Sequence, residues 1–224
     1  MKQTPAHQPS GSKPKNSGAK DKFPVRNALK ALWVKTAPEL EVDEDILLRP
    51  ISIQDAERIF ELVNNNRVHL QEWLSWIEKV KTLQECRYFI RTVSYRDIFS
   101  GKWVYSIWYK DKLEGLIDFN EGDREQNQIS LGYWISKEQE GKGIVTRCVQ
   151  KCLDYVFDIH KLHRVVIKCA TANFRSEAIP LRLKFSWEGL DHEAGVVNGK
   201  TVDMVTYSML YRDWGKEKKS DDRM

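Results

Sequence analysis

The apolar residues of this chain follow a period of two from Trp103 to Ile135, then switch to helical spacing from Ile144 to His160. The segments Trp103–Tyr109, Leu113–Phe119 and Gln128–Ile135 are parted by the turn Lys110-Asp111-Lys112 and a polar loop through Asn127, which predicts an antiparallel meander. The next stretch carries Val145, Val149, Cys152, Leu153, Val156 and Phe157 on one face, with Arg147, Gln150, Lys151, Asp154 and Asp158 opposite, so it is a helix that packs on the sheet. Arg164–Cys169 then holds Val165-Val166-Ile167, a run short enough for a buried strand. Strand, helix and strand make one βαβ unit with a right-handed crossover. A parallel pair must therefore lie inside a mostly antiparallel sheet.

The flanks extend this frame. Leu40–Val42, the turn Asp43-Glu44-Asp45 and Ile46–Arg49 read as an entry hairpin. Ser52 with Asp55, and Thr82 with Glu85, resemble capping boxes. Ala56, Ile59, Phe60 and Val63 follow the first at helical spacing; Phe89, Ile90, Val93 and Phe99 follow the second, with Gly101 ending that helix. Leu70, Trp73, Leu74 and Ile77 give a further helical stretch between them. A brief helix over Ser176–Leu183, a strand Phe185–Glu188, the turn Asn198-Gly199 and a strand Val202–Leu210 complete the chain. The expected class is α+β: a mixed, mostly antiparallel sheet of six to seven strands with a central splayed parallel pair and flanking helices.

With 224 residues, 41% of them apolar, the chain can bury one sizeable core plus an appendage. Five lysines fall within the first 22 residues, which accounts for the formal charge of +4 and leaves the rest close to neutral. A nucleic-acid surface, which needs a clustered basic stripe, is not expected outside that tail. Residues 1–24 predict a disordered basic tail, 25–39 an extension with a short helix over Asn27–Thr36, 40–214 the folded domain and 215–224 a charged C-terminal tail. The chain has no secretory signal and no apolar run of about eighteen residues, so a cytoplasmic protein off the membrane is expected. Cys86, Cys148, Cys152 and Cys169 form no CxxC pair, and His7, His69, His160, His163 and His192 are scattered, so neither a disulfide framework nor a metal is expected. His160-x-x-His163 reads as cations at a helix C-terminus.

The sharpest local signal is Glu140-Gly141-Lys142-Gly143, set between the last meander strand and the long helix. The first amides of a helix have no internal partner and face the positive end of its dipole, while glycines let an anion approach the backbone. The amides of Gly141, Lys142, Gly143, Ile144, Val145 and Thr146 are thus candidates for a pyrophosphate, with Lys142 or Arg147 adding charge. A nucleotide triphosphatase loop would need GxxxxGK[ST], and a dinucleotide fold the full GxGxxG; neither is present here.

Gly132-Tyr133-Trp134-Ile135, then Glu140 through Thr146, Asn173 with Ser176, and Asn198-Gly199-Lys200 resemble the RimJ/RimL branch of the GNAT superfamily of N-acetyltransferases. Asn66-Arg67 followed by Trp73-x-x-Trp76 is similar to its ribosomal-protein serine and alanine acetyltransferases. The resemblance spans roughly Leu40–Trp214. It implies a GNAT fold, acetyl-CoA as cosubstrate in the splay between two strands, and direct acetyl transfer to an amine, above all a protein N-terminus. The partners expected are that amine and either none or one further copy of the chain, with nucleic acid touched only through the tail. Two other readings stand beside it: a catalytically weak acetyl-CoA-binding module tethered by the tail, and an acetyltransferase for a polyamine or aminoglycoside.

That chemistry needs a neutral amine, a donor for the developing oxyanion and a proton for the departing thiolate. The backbone of Trp134, Ile135 and Ser136, where strands splay, is the candidate for the oxyanion and the pantetheine amides. The resemblance implies Asn173 near the pantetheine and Ser176 as the acid; Ser176 would equally suit a helix cap. Glu72 and Asp118 lead the candidates for general base, ahead of Glu121 and Glu138, and a water chain could replace them. Trp73 and Trp76 share a helical face and either pack the core or line the acceptor entrance. Four departures from the family pattern stand out: Glu138 and Glu140 put acids beside a pyrophosphate, Pro180 interrupts the short helix, and Lys184 replaces a glycine. Turning those acids to solvent, or pairing them with Lys137 and Lys142, would relieve the repulsion, and Lys184 would reach toward the cofactor.

Overall fold

The structure, a computed structural model, describes residues 37–93 and 103–221. The expected tail at 1–24, most of the extension at 25–39, and Phe99 and Gly101 lie outside those residues. Eight strands form one sheet: β1 (Leu40–Glu41), β2 (Ile46–Pro50), β3 (Trp103–Tyr109), β4 (Lys112–Asp123), β5 (Gln128–Ile135), β6 (Arg164–Ala170), β7 (Ser186–Val197) and β8 (Lys200–Leu210). Their order is β1-β2-β3-β4-β5-β6-β8-β7. The sheet exceeds the expected six to seven strands because the two-residue β1 pairs with β2 and because β7 continues across the polar stretch to Val197. Lys110 and Asp111, both at positive φ, turn β3 into β4, and Asn198-Gly199 does the same between β7 and β8.

Strand alternation gives the sheet two apolar faces. Leu48, Ile107, Ile117 and Phe119 pack against Val149, Leu153 and Phe157. The other face buries Val104, Trp108 and Leu116 against Ile59, Val63 and Ile90. The first partners come from α4 (Ile144–Asp154) and the π-helical turn Tyr155–Ile159 that continues it; the second from α1 (Ala56–Asn65) and α3 (Leu83–Val93). The Thr82/Glu85 capping box is formed: Glu85 Oε2 accepts from the amide of Thr82 at 2.8 Å, and the Glu85 amide donates to Thr82 Oγ1 at 3.2 Å. Ser52 caps a 3₁₀ turn, Ile53–Asp55, that leads into α1.

Three local readings are corrected. The stretch around Trp73 is not one helix but the short α2 (Arg67–Gln71) and a 3₁₀ turn Ser75–Lys79, because the Arg67 guanidinium reaches the carbonyls of Ile77 and Val80 and turns the chain back. His160 is not a cation at a helix end. It packs edge-on against Tyr155 and Trp103, and burial lowers its pKa from 6.5, favouring the neutral ring. The last strand ends at Leu210 as expected, and the first residues of the stretch read as a charged tail from 215 continue a helix, α6, that covers Tyr211–Asp221. The four cysteines are free and buried.

Candidate active site

The parallel pair is formed for only three residues, Gln128, Ile129 and Ser130 of β5 opposite Arg164, Val165 and Val166 of β6. Beyond them β5 stays paired with β4 and β6 with β8, so the strands diverge and leave the facing edges open. A cavity of about 860 Å³ occupies the gap, within the size range of cofactor and substrate sites. Its walls are Leu131 to Ile135, Ile167 to Ala170, the loop Gln139–Gly143 and α5 (Phe174–Arg182), with His69, Leu70, Trp73 and Leu74 over one side.

Gly141 and Gly143 adopt φ of 74° and 72°, the left-handed region that glycine enters freely. Gly143 is the N-cap of α4 and offers no side-chain cap, in contrast to Asn173, whose side chain caps α5. The amides of Ile144, Val145 and Thr146 thus begin a helix without a side chain to satisfy them. Lys142, Arg147, Arg175 and Arg182 line the same end of the cavity, and Arg182 is anchored to Thr146 Oγ1 at 2.8 Å. Arg147 is held by Asp43 Oδ2 at 2.6 Å, so the turn between β1 and β2 fixes its position. Such a set of uncapped amides and cations fits a polyphosphate.

Nine of the ten residues expected to hold the cofactor line this cavity: Trp134, Ile135, Gly141, Lys142, Gly143, Ile144, Val145, Thr146 and Asn173. Ser136 does not. Its amide donates to the Glu114 carbonyl at 2.7 Å and its hydroxyl to Glu114 Oε2 at 2.6 Å. Since successive amides of a strand point to opposite edges, the Trp134 amide also faces β4, while those of Ile135 and Tyr133 face the open gap. Glu114, missed by sequence reasoning, further accepts from Gln139 Nε2 at 3.1 Å and so holds the loop in place. Its only sequence signal was a carboxylate, one of two with Asp118, inside the apolar strand Leu113–Phe119.

Ser176, Asn173 and Trp73 meet in the cavity, whereas Glu72, Asp118 and Trp76 do not line it. Glu72 is exposed at the end of α2. Asp118 accepts from Asn120 at 2.9 Å and lies over Gly132, where a Cβ would come within 2.7 Å of Asp118 Oδ1. Trp76 stacks on Phe89 with centroids 5.3 Å apart, which supports its packing role. Ser176 is not a helix cap: Asn173 Oδ1 accepts its amide at 3.1 Å instead. Glu138 is exposed and outside the lining. Glu140 lies inside, and pairs with His69 Nε2 at 3.3 Å and Arg175 at 2.9 Å, not with Lys137 or Lys142. Lys142 turns to Gln139 Oε1. Lys184 does not line the cavity; at φ 58° it supplies the left-handed turn after α5 that a glycine usually makes.

The model of the GNAT acetyltransferase domain matches residues 45–186, and the chain belongs to this family. It is accordingly an acetyl-CoA-dependent N-acetyltransferase. It is similar to YdaF of Bacillus subtilis (strain 168), at 35% identity over 80% of this chain and 98% of that one. The ribosomal-protein-serine acetyltransferase of Escherichia coli (strain K12) is 25% identical over 76% of this chain and 96% of its own length. Among solved structures, the microcin C7 self-immunity acetyltransferase MccE in complex with acetyl-CoA and AMP superposes with a TM-score of 0.72 at 30% identity, covering 75% and 94% of the two chains. Among the described residues no helix is long and apolar enough to cross a membrane, and no cluster of His, Cys, Asp or Glu could hold a metal.

Proposed function

We propose that the acceptor is the free amine at a protein N-terminus, acetylated directly from acetyl-CoA in the gap between β5 and β6. The observation that carries this reading is the charge of the cavity wall. Its only carboxylate among the lining residues is Glu140, already paired with His69 and Arg175, while Lys168 adds a further cation. A polyamine or aminoglycoside brings several positive charges and would meet no uncompensated anion there. A single amine on an otherwise neutral chain meets the apolar wall of Leu70, Trp73 and Leu74. In this reading Ile135 and Tyr133 offer amides to the acetyl oxygen and pantetheine, Ser176 protonates the departing sulfur, and the amine loses its proton to water, since Glu72 and Asp118 lie off the cavity. The name of the ribosomal-protein-serine acetyltransferase relative agrees with a protein acceptor, in the cytoplasm where new N-termini appear.

Thiol release from acetyl-CoA with peptides starting in Ser or Ala, with spermidine and with an aminoglycoside tests the assignment. Turnover on the peptides is expected. Preference for spermidine would overturn the protein acceptor, and CoA binding without turnover on any amine would favour a tethered binding module.

A further inference from the structure

Pro180 lies inside α5, on a ladder otherwise made by the bonds from Glu177 to Asn173 at 3.0 Å and from Leu183 to Ile179 at 3.0 Å. An ordinary residue at 180 would donate its amide to the carbonyl of Ser176, four positions back. Proline has no amide, and its ring pushes that carbonyl outward. The orphaned oxygen is met from the opposite wall: Tyr133 Oη donates to the Ser176 carbonyl at 2.9 Å. The same Tyr133 oxygen lies 3.5 Å from Ser176 Oγ. One phenol thus touches both the backbone and the hydroxyl of the residue assigned to protonate the sulfur.

We propose that Tyr133 is a positioning residue for Ser176, and that Pro180 makes this possible by leaving the Ser176 carbonyl free. The inference rests on the reading of Ser176 as proton donor. A phenol has one proton, and Tyr133 commits it to the Ser176 carbonyl, so toward Ser176 Oγ it can only accept. The Ser176 proton therefore points toward Tyr133 Oη, held loosely at 3.5 Å until a better acceptor arrives in the gap. When the carbon–sulfur bond breaks, Ser176 Oγ–H gives its proton to the sulfur, and Ser176 regains one through water from the nitrogen that has become an amide. Tyr133 stays neutral throughout, as its burial favours.

Cys169 offers a cofactor-free probe of that proton. Its thiol lines the cavity, and burial pushes it up to about 11, with Glu177 adding to the rise and a hydrogen bond from Ser176 opposing it. Cys86, Cys148 and Cys152 are buried away from the cavity. Tyr133→Phe removes the competing acceptor, so the Ser176 proton turns to Cys169 and its thiolate becomes easier to form.

The test combines Tyr133→Phe, Ser176→Ala, the double variant and Pro180→Ala. In the ligand-free protein, the rate of Cys169 alkylation by iodoacetamide, read by mass spectrometry, is expected to rise severalfold in Tyr133→Phe and to return to the Ser176→Ala rate in the double variant. In the loaded enzyme, kcat should fall about tenfold in Tyr133→Phe, with CoA affinity changed less than twofold and no loss in the double variant beyond that of Ser176→Ala alone. Pro180→Ala restores the helix amide and should lower kcat less, while raising the melting temperature of Tyr133→Phe. Independent, multiplying losses in kcat, or an unchanged alkylation rate in Tyr133→Phe, would overturn the inference. Loss of turnover on every acceptor with the alkylation pattern intact would instead count against the proposed function alone.

Discussion

Replacing Gly143 by alanine isolates the cost of backbone conformation at the loop proposed to hold the diphosphate. Gly143 sits at φ 72°, and a Cβ built there meets nothing within 4 Å, so the substitution adds strain without a clash. Holding an L-residue in the left-handed region costs about 1–2 kcal/mol. Where that penalty falls on the ligand-bound loop, CoA affinity drops about five- to thirtyfold; any share borne by the free protein appears as a lower melting temperature. Gly143→Asn introduces a side chain that tolerates this region and should lose less than Gly143→Ala, whereas the β-branched Gly143→Val should lose more. Isothermal titration with CoA beside thermal melts of these three variants measures both shares. If all three bind CoA and melt like the parent, the loop does not hold this conformation when it grips the ligand, and the assignment of the diphosphate to it fails.

Gly115→Ala should behave differently, because its Cβ would lie 2.2 Å from the Trp134 carbonyl oxygen and 2.9 Å from Ile135 Cα. Loss of about 1–3 kcal/mol or more by denaturant unfolding is expected, while Gly189→Ala, with nothing within 4 Å, stays near the parent. Glu140→Gln removes a negative charge from the phosphate end of the cavity; about 1 kcal/mol of relieved repulsion should tighten CoA binding about fivefold at low salt and less at high salt, read by the same titration. Because burial lowers the pKa of His160 from 6.5, the unfolded chain takes up its proton first as pH falls. Its stabilising contribution is present above about 6.5 and is lost below that value; His160→Phe should flatten the loss of melting temperature in that window.

The meander, the long helix and the loop at Gly141–Gly143 were legible because each rests on a local rule: alternation, helical spacing, and glycine where φ is positive. The cofactor end of the site followed directly, since backbone amides at a helix start need no distant partner to be placed. Residues whose role depends on distant contacts escaped. Arg175 and Arg182 reach the phosphate end only because α5 lies across the gap, though their spacing of seven on one helix was a signal. Glu72 and Asp118 were chosen by segment and not by direction; Glu72 is exposed at the end of α2, and Asp118 lies over Gly132 beside Asn120 without itself lining the cavity. Ser136 was placed at the splay because strand ends leave amides unpaired, but Glu114 on the neighbouring strand takes both its amide and its hydroxyl.

The departures from the family pattern bear on whether the chain has drifted toward a binding module. A drifted residue should lack a structural role, and three of the four, Glu140, Lys184 and Pro180, have one, while Glu138 turns to solvent. Glu140 is paired from both walls, with Arg175 at 2.9 Å and His69 Nε2 at 3.3 Å, so its carboxylate ties α2 to α5 across the loop. Lys184 meets the backbone demand of the glycine it replaces, and a flexible, exposed side chain there obstructs nothing in the cavity. Pro180 removes one helix bond, and the phenol of Tyr133 occupies the carbonyl it frees. Compensation of this kind supports a chain kept for turnover, because a module that only binds CoA has no use for a fixed hydroxyl at Ser176, the proposed proton donor. Full retention of kcat in Ser176→Ala would remove that support, since the compensated geometry around Pro180 would then serve packing alone.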